Sequence, residues 1–286
     1  MNTLLSLGHG YSARALAARL LPLGWQIIGT TRSAQKAEDI ARTGVEAHIW
    51  PKADLGPLLA RATHVLSSIS PRGSEDDPVL AEAKEQFAQA KHLKWVGYLS
   101  TTGVYGDRDG GWVDEESELR PGTKRGKERV RAEAAWQTLA QEAGLPLHIF
   151  RLAGIYGPSR GPFEKVRDGT ARRIIKQGQV FSRIHVADIA AALHLSMQHP
   201  QSGAIYNLCD DDPAPPQDVL AYAAELLGLP LPPEEDWDTA EMSPMARSFY
   251  AESKRVRNDR IKALGLELTY PDYRAGLRAL LAEIDD

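Results

Sequence analysis

Near its start the chain reads Thr3-Leu-Leu-Ser-Leu-Gly8-His-Gly10-Tyr11-Ser12-Ala13, an apolar run that ends in Gly-x-Gly-x-x-Ala. It flows directly into Arg14-Ala-Leu-Ala-Ala-Arg-Leu-Leu21, a helix-forming stretch. Strand, glycine turn and helix in that order meet the needs of a dinucleotide diphosphate. Gly8 permits a tight turn, and Gly10 lacks a Cβ, so the backbone can approach phosphate oxygens. Ala13 lets the helix pack close to the sheet. The helix start, with Tyr11 and Ser12, offers free N–H groups and positive partial charge to an anion. A second apolar run, Trp25-Gln-Ile-Ile-Gly-Thr30, ends in Thr31-Arg32-Ser33. An acidic residue there would hold a ribose 2′-hydroxyl, whereas a guanidinium between two hydroxyls suits a 2′-phosphate. The expected cofactor is therefore NADP(H) in preference to NAD(H); the competing reading of Arg32 is a solvated side chain after a strand. A third group, Tyr98-Leu-Ser100-Thr101-Thr102-Gly-Val-Tyr105-Gly106, closes the fifth apolar strand. Ligands of open α/β sheets lie beyond the carboxyl ends of the strands, so hydroxyls here could hold a carbonyl or alcohol oxygen beside a nicotinamide. The plainer reading is a Ser/Thr turn.

These residues need a scaffold, and the rest of the chain supplies one. Its 286 residues are enough to bury a substantial core. Strands are predicted at 3–7, 25–30, 46–50, 64–67, 95–100, 147–151 and 205–208, and helices at 12–21, 54–62, 79–90, 124–142, 186–198 and 217–227. Several strands are almost continuously apolar, as expected of a parallel sheet covered on both faces. The alternation is that of a doubly wound α/β protein. After Asp210 it breaks, and Pro213, Pro215, Pro216, Pro230, Pro232 and Pro233 punctuate a tail of helices and loops. Gly157-Pro-Ser-Arg-Gly-Pro162 marks an earlier excursion.

Composition narrows the function. A net charge of −4 and a pI near 6.1 give no basic field for nucleic acid or an anionic membrane. No apolar run is long enough to span a bilayer, and the chain enters its first strand without a cleavable leader. One cysteine, Cys209, excludes an intramolecular disulfide and fits a reducing, cytoplasmic setting. It follows an apolar strand and reads as a buried structural thiol. No Cys/His cluster has metal-ligand spacing, so no metal is expected.

Further landmarks follow downstream: Arg151-Leu-Ala-Gly-Ile-Tyr156-Gly157-Pro158, Arg183-Ile-His185-Val-Ala-Asp188 and Ile205-Tyr-Asn-Leu208. Together with the glycine turn and Ser100-Thr-Thr-Gly-Val-Tyr-Gly106, their order resembles the extended short-chain dehydrogenase/reductases, often labelled NAD-dependent epimerase/dehydratases. The resemblance runs from Thr3 to Asp210. It implies a Rossmann-type sheet of about seven strands with a small C-terminal substrate lobe. Residues 1–157 and 183–210 would form the dinucleotide-binding domain, and 158–182 with 211–286 the lobe.

Two departures from the family pattern matter more than the matches. Extended members usually carry Gly-x-x-Gly-x-x-Gly, and this turn is one residue shorter and ends in Ala13. The family's chemistry also depends on Tyr-x-x-x-Lys, on the helix that follows its catalytic Ser/Thr, here Thr101. Matching Gly126 and Glu133 to that helix puts Arg125 at the tyrosine position and Arg129 at the lysine position. No tyrosine lies between Gly106 and Arg151. A guanidinium stays protonated and cannot replace a phenol as acid/base, but it can hold an anion. On one helix face, Arg125 and Arg129 could jointly grip a phosphate or carboxylate; alternatively they are solvated, with Arg129–Glu133 a surface pair. Tyr105 and Tyr156 are expected as cleft walls, His185 and Asp188 as structural, and Arg183 as bordering the substrate.

Two functions compete. One is an atypical NADP(H)-dependent oxidoreductase, epimerase or dehydratase acting on a small polar, anionic or nucleotide-sugar-like substrate. Ser100 and Thr101 would hold the reacting oxygen, and Arg125 and Arg129 the anion. The other is a non-catalytic NADP(H) sensor. Either could assemble as a homodimer.

Overall fold

A computed structural model describes residues 1–71, 73 and 77–285; residue 286, the end of the expected lobe, lies outside the described residues. Seven strands form one parallel sheet: β1 (Thr3–Leu7), β2 (Gln26–Thr31), β3 (Glu46–Ile49), β4 (His64–Ser67), β5 (Trp95–Thr101), β6 (Leu147–Leu152) and β7 (Ala204–Leu208). Their spatial order is β3-β2-β1-β4-β5-β6-β7. The order reverses between β1 and β4, which opens a crevice at the carboxyl ends of these strands.

The expected continuous apolar runs arise because helices cover both faces. Leu4, Ile27, Leu66 and Phe150 point to the face that α1 (Tyr11–Leu20) and α7 (Val186–Gln198) cover with Leu16, Leu20, Ile189 and Leu193. Leu5, Leu7, Val65 and Val96 point the other way, where α3 (Leu55–Arg61), α4 (Pro78–Gln89) and α5 (Lys124–Ala143) bring Leu58, Phe87 and Trp136. Alternation of neighbouring residues between the two clusters is the pleat at work. Helix α2 (Ala34–Ala41) is not among the helices that the pattern predicts. Its only buried residue is Ile40, so it has almost no apolar stripe, and the Ser33 Oγ cap on the Lys36 N–H starts it.

The second lobe has its own core. Phe163 and Val166 of α6 (Phe163–Arg167), Val219 and Ala223 of α8 (Pro216–Leu226), and Tyr273 and Leu277 of α11 (Tyr273–Asp285) pack around Tyr156. Two helices connect these parts, α9 (Pro244–Tyr250) and α10 (Asp259–Ala263). Part of the tail expected in the lobe returns to the sheet domain. Arg255–Val256 pairs in parallel with Trp112–Val113, and Val256, Ile261 and Leu266 share the core of Phe150 and Leu208. Cys209 lies in this seam, buried, its thiol donating to the Val256 carbonyl at 3.1 Å. Asp188 fixes the next stretch. Its two carboxylate oxygens accept the Thr269 and Tyr270 N–H groups at 2.8 and 3.0 Å, fully out of water. No helix among the described residues is long and apolar enough to cross a membrane.

Where β5, β6 and β7 meet α5, a polar network replaces apolar packing. Arg151 on β6 and Glu133 on α5 pair at 2.8 Å with side chains 4 and 2 % exposed. The Ser100 hydroxyl donates to Glu133, and Arg151 Nη1 donates to the Tyr105 hydroxyl at 2.9 Å. Tyr105 in turn donates to Asn207 Oδ1 at 2.7 Å, and the Asn207 N–H donates to Glu115 at 2.8 Å. Each member is satisfied by the next, so removing one leaves a buried charge or donor uncompensated. Glu133 is therefore not the surface partner of Arg129 that helical spacing suggested.

Glu133→Ala should lower the free energy of unfolding by about 3–5 kcal/mol, since it strands the Arg151 charge. Arg125→Ala, on the exposed start of the same helix, should change it by no more than about 0.5 kcal/mol. Urea titration of both variants checks this, and similar losses would contradict the network's role. Asp188→Ala should cost about 2–4 kcal/mol through two lost hydrogen bonds to a charged acceptor. A wild-type midpoint would show that the tail holds to α7 by other contacts.

Candidate functional site

The glycine turn stands at the carboxyl end of β1. Gly8 has φ +78°, and a Cβ there would lie 2.7 Å from Ile69 Cγ1, so both backbone and space demand glycine. Thr30 on β2 pins the turn: its Oγ1 accepts the Gly8 N–H at 2.9 Å, and its carbonyl accepts the His9 N–H at 2.8 Å. His9 itself faces inward, 3.0 Å from Ser6 Oγ and packed on Gly29. Burial pulls its pKa to about 4, so it is a neutral packing group.

Gly10 is the N-cap of α1, and no side chain caps the helix or places an acid in its first turn. A Cβ on Gly10 would meet only the Gly8 carbonyl, at 3.7 Å, so space in front of it is open. The N–H groups of the first turn, at Tyr11, Ser12 and Ala13, have no capping side chain to accept them. An uncapped helix start with room for phosphate oxygens fits a diphosphate. Ser12 and Ala13 are buried against the sheet.

At the end of β2 the two hydroxyls each accept one backbone N–H. Thr31 Oγ1 accepts the Ser33 N–H, and Ser33 Oγ caps α2, each at 3.4 Å. Arg32 is exposed and makes no hydrogen bond or ion pair among the described residues. Its guanidinium has every donor free, and the Thr31 and Ser33 hydroxyls, each accepting one N–H, keep a hydrogen to donate.

The end of β5 divides its two hydroxyls. Ser100 is buried and committed to Glu133. Thr101 is half-buried; its Oγ1 accepts the Gly103 N–H at 3.1 Å, which leaves the hydroxyl hydrogen to donate outward. A Cβ on Gly126 would lie 2.9 Å from the Gly103 carbonyl, so the first turn of α5 packs directly on the turn after Thr101. Arg125 stands exposed in that first helical turn, without a partner among the described residues.

The two arginines part company here. Arg129 donates to the Tyr98 hydroxyl at 2.9 Å, the Leu99 carbonyl at 2.6 Å and Ser70 Oγ at 2.7 Å. It ties the end of β5 to the loop after β4, and it does not share an open face with Arg125.

Neither remaining tyrosine is an available acid. Tyr105 is fully buried in the Arg151 network, and burial pushes its phenol up to about 12. Tyr156 packs edge-on to His185 and over Gly276, with burial again raising its pKa. His185 caps α7 through Nδ1, which accepts the Ala187 N–H at 3.2 Å, and burial lowers its pKa to about 4. Arg183 donates to the Phe181 and Ala214 carbonyls and lines a lobe cavity of about 260 Å³ with Tyr156, Arg160 and Tyr273. The sequence gives Glu133 only as a helix landmark and surface partner of Arg129, Arg160 only as part of the excursion at residues 157–162, and Asp210 only as the end of the family resemblance. Asp210 is buried with both carboxylate oxygens unpartnered, and burial raises its pKa to about 8. No group of His, Cys, Asp and Glu side chains among the described residues could hold a metal.

Comparison with known proteins places the fold and the family. A solved structure of a functionally unknown conserved protein from Silicibacter pomeroyi DSS superposes with a TM-score of 0.95 at 58 % identity, over 99 % of each chain. Protein YeeZ of Escherichia coli strain K12 is 28 % identical over 279 residues, 93 % of this chain and 95 % of that one. A dTDP-glucose 4,6-dehydratase from Bacillus anthracis, solved with NAD, has a TM-score of 0.81 at 16 % identity, over 100 % of this chain and 96 % of that one; it shares the fold. Residues 7–209 match the model of the NAD-dependent epimerase/dehydratase family. The chain belongs to that family.

Proposed function

We propose that this protein is an atypical NADP(H)-dependent oxidoreductase, epimerase or dehydratase for a small polar substrate with an anionic group, a nucleotide sugar being one member of that class. The observation that carries this reading is the pairing of two open features at one crevice. The uncapped start of α1 follows β1, and the outward hydroxyl of Thr101 ends β5, with β4 alone between them.

Gly8, Gly10, Tyr11, Ser12 and Ala13 would hold the diphosphate through backbone N–H groups, and Arg32 the 2′-phosphate. Thr31 and Ser33 would shape the loop that presents Arg32. The dinucleotide, when bound, supplies hydride exchange at its nicotinamide ring. Thr101 would donate one hydrogen bond to the reacting oxygen, oriented by the Gly103 N–H behind it. Arg125 would hold the substrate's anion and remain charged throughout, since a guanidinium does not titrate in the accessible range. Arg129 and Ser100 would act as positioning residues, holding the ends of β4 and β5 and the floor of the site.

The second reading is a non-catalytic NADP(H) sensor. Arg129, at the lysine position, is turned into the fold, and Arg125 cannot transfer a proton; both observations favour binding without turnover. A cytoplasmic location, resting on the single buried thiol, belongs to either reading.

Arg32→Ala should weaken NADPH roughly 10-fold or more and leave NADH unchanged, as a lost charge-assisted bond requires. Calorimetric titration of both nucleotides checks this, and equal losses would remove the 2′-phosphate assignment. Thr101→Ala should lower kcat on any active substrate roughly 100-fold without changing NADPH affinity. Arg125→Ala should raise KM for anionic substrates alone. Tight NADPH binding with no turnover across a panel of phosphorylated and carboxylated carbonyl compounds would favour the sensor.

A further inference from the structure

We propose that Arg160, presented by the loop that enters the second lobe, is a clamp on the cofactor's diphosphate at the glycine turn. The proposal rests on the reading of that turn as a dinucleotide site and gives a role to a residue of the excursion at residues 157–162.

The strand Gly154–Tyr156 ends in a closed turn in which Gly157 and Arg160 exchange backbone hydrogen bonds of 3.0 and 2.9 Å. Two of its residues have positive φ, Gly157 at +151° and Ser159 at +57°. A serine held in the left-handed region needs surroundings that fix it there. Those surroundings are the first residue of α1. The Tyr11 hydroxyl donates to the Pro158 carbonyl at 2.9 Å. A Cβ on Gly157 would lie 2.6 Å from that hydroxyl and 2.7 Å from Val186 Cγ1, so the turn is pressed against Tyr11 with no space to spare.

This docking delivers a cation. The Arg160 guanidinium stands 5.6 Å from the centre of the Tyr11 ring. The side chain is exposed and makes no hydrogen bond or ion pair among the described residues. The charged groups that act on the Tyr11 phenol are Arg160 and Glu283, and Glu283 forms no ion pair with Arg160 among the described residues. A planar guanidinium with all its donors free therefore stands over the ring of Tyr11, the first residue of a helix whose first turn has neither a cap nor an acid, and borders the lobe cavity with Arg183. That is the arrangement in which arginine takes two oxygens of a phosphate at once. The backbone N–H groups approach the diphosphate from the sheet domain, and Arg160 closes on it from the lobe side. Binding would then couple the two lobes through one ligand.

The diphosphate is common to NADPH and NADH, and this separates Arg160 from Arg32. Arg160→Ala and Arg160→Gln should weaken both nucleotides alike by roughly 10- to 100-fold in calorimetric titrations. The fall of affinity with salt should also become shallower. Arg160→Lys should recover part of the loss as a point charge. Thermal midpoints should stay at the wild-type value, because the side chain carries no structural bond. Wild-type affinity for both nucleotides in Arg160→Ala would overturn the clamp and leave the glycine-turn reading intact. A loss confined to NADPH would overturn it as well, by placing Arg160 at the ribose phosphate. Failure of the wild-type protein to bind either nucleotide, or undiminished binding by Gly10→Val, would instead overturn the underlying reading of the turn.

Discussion

The Arg151–Glu133 pair, 2.8 Å apart and almost wholly removed from water, is the constraint on which the site depends. A lone buried charge is costly, so these two must stay together, and neighbours that satisfy their remaining atoms must stay with them. That requirement anchors Ser100 at the end of β5, Tyr105 in the following turn, and Asn207 on β7. It brings three adjacent strands and α5 into one register. It also decides which of two neighbouring hydroxyls faces the crevice. Ser100 serves the pair, and Thr101, which accepts only the Gly103 N–H, keeps its hydroxyl hydrogen free.

A similar division separates the two arginines of α5. Arg129 reaches back to Tyr98, Leu99 and Ser70, so its charge stabilises the rim of the sheet. Arg125, four residues earlier and one turn nearer the open helix end, has nothing to hold. Helix α5 thus carries one scaffold guanidinium and one free guanidinium. The free guanidinium carries a fixed positive charge and has no proton to transfer in the accessible range. Acid/base work by Tyr105 or Tyr156 is closed off by the same physics, since both phenols are buried and hydrogen-bonded.

The legible parts of the sequence were those set by local pattern. Gly8 declares its turn because no other residue takes φ +78° against Ile69, and the apolar strands declare a sheet covered on both faces. Long-range partners were not legible. Glu133 stands one turn from Arg129 along the helix and still pairs with Arg151 across the core. The return of Val256 and Ile261 to the sheet domain depends on a short strand pairing with Trp112–Val113, which no period announces. Helix α2 escaped because one buried residue makes no stripe. One signal was present and unused: Tyr98 and Ser100 share a face of β5, and Tyr98 packs in the same core as Trp136 of α5. The strand period puts Ser100 on the Tyr98 face and Thr101 on the other, and the packing of Tyr98 on Trp136 makes the first of these the α5 face.

The central claim is that one crevice holds a dinucleotide along the start of α1 and offers its nicotinamide end to Thr101. A crystal structure of the wild-type protein grown with NADPH tests it most directly. The expected result is a diphosphate on the N–H groups that follow Gly10, a 2′-phosphate at Arg32 and the nicotinamide ring beside Thr101 Oγ1. A nucleotide bound away from Gly10, or with its nicotinamide end directed away from β5, would contradict the claim.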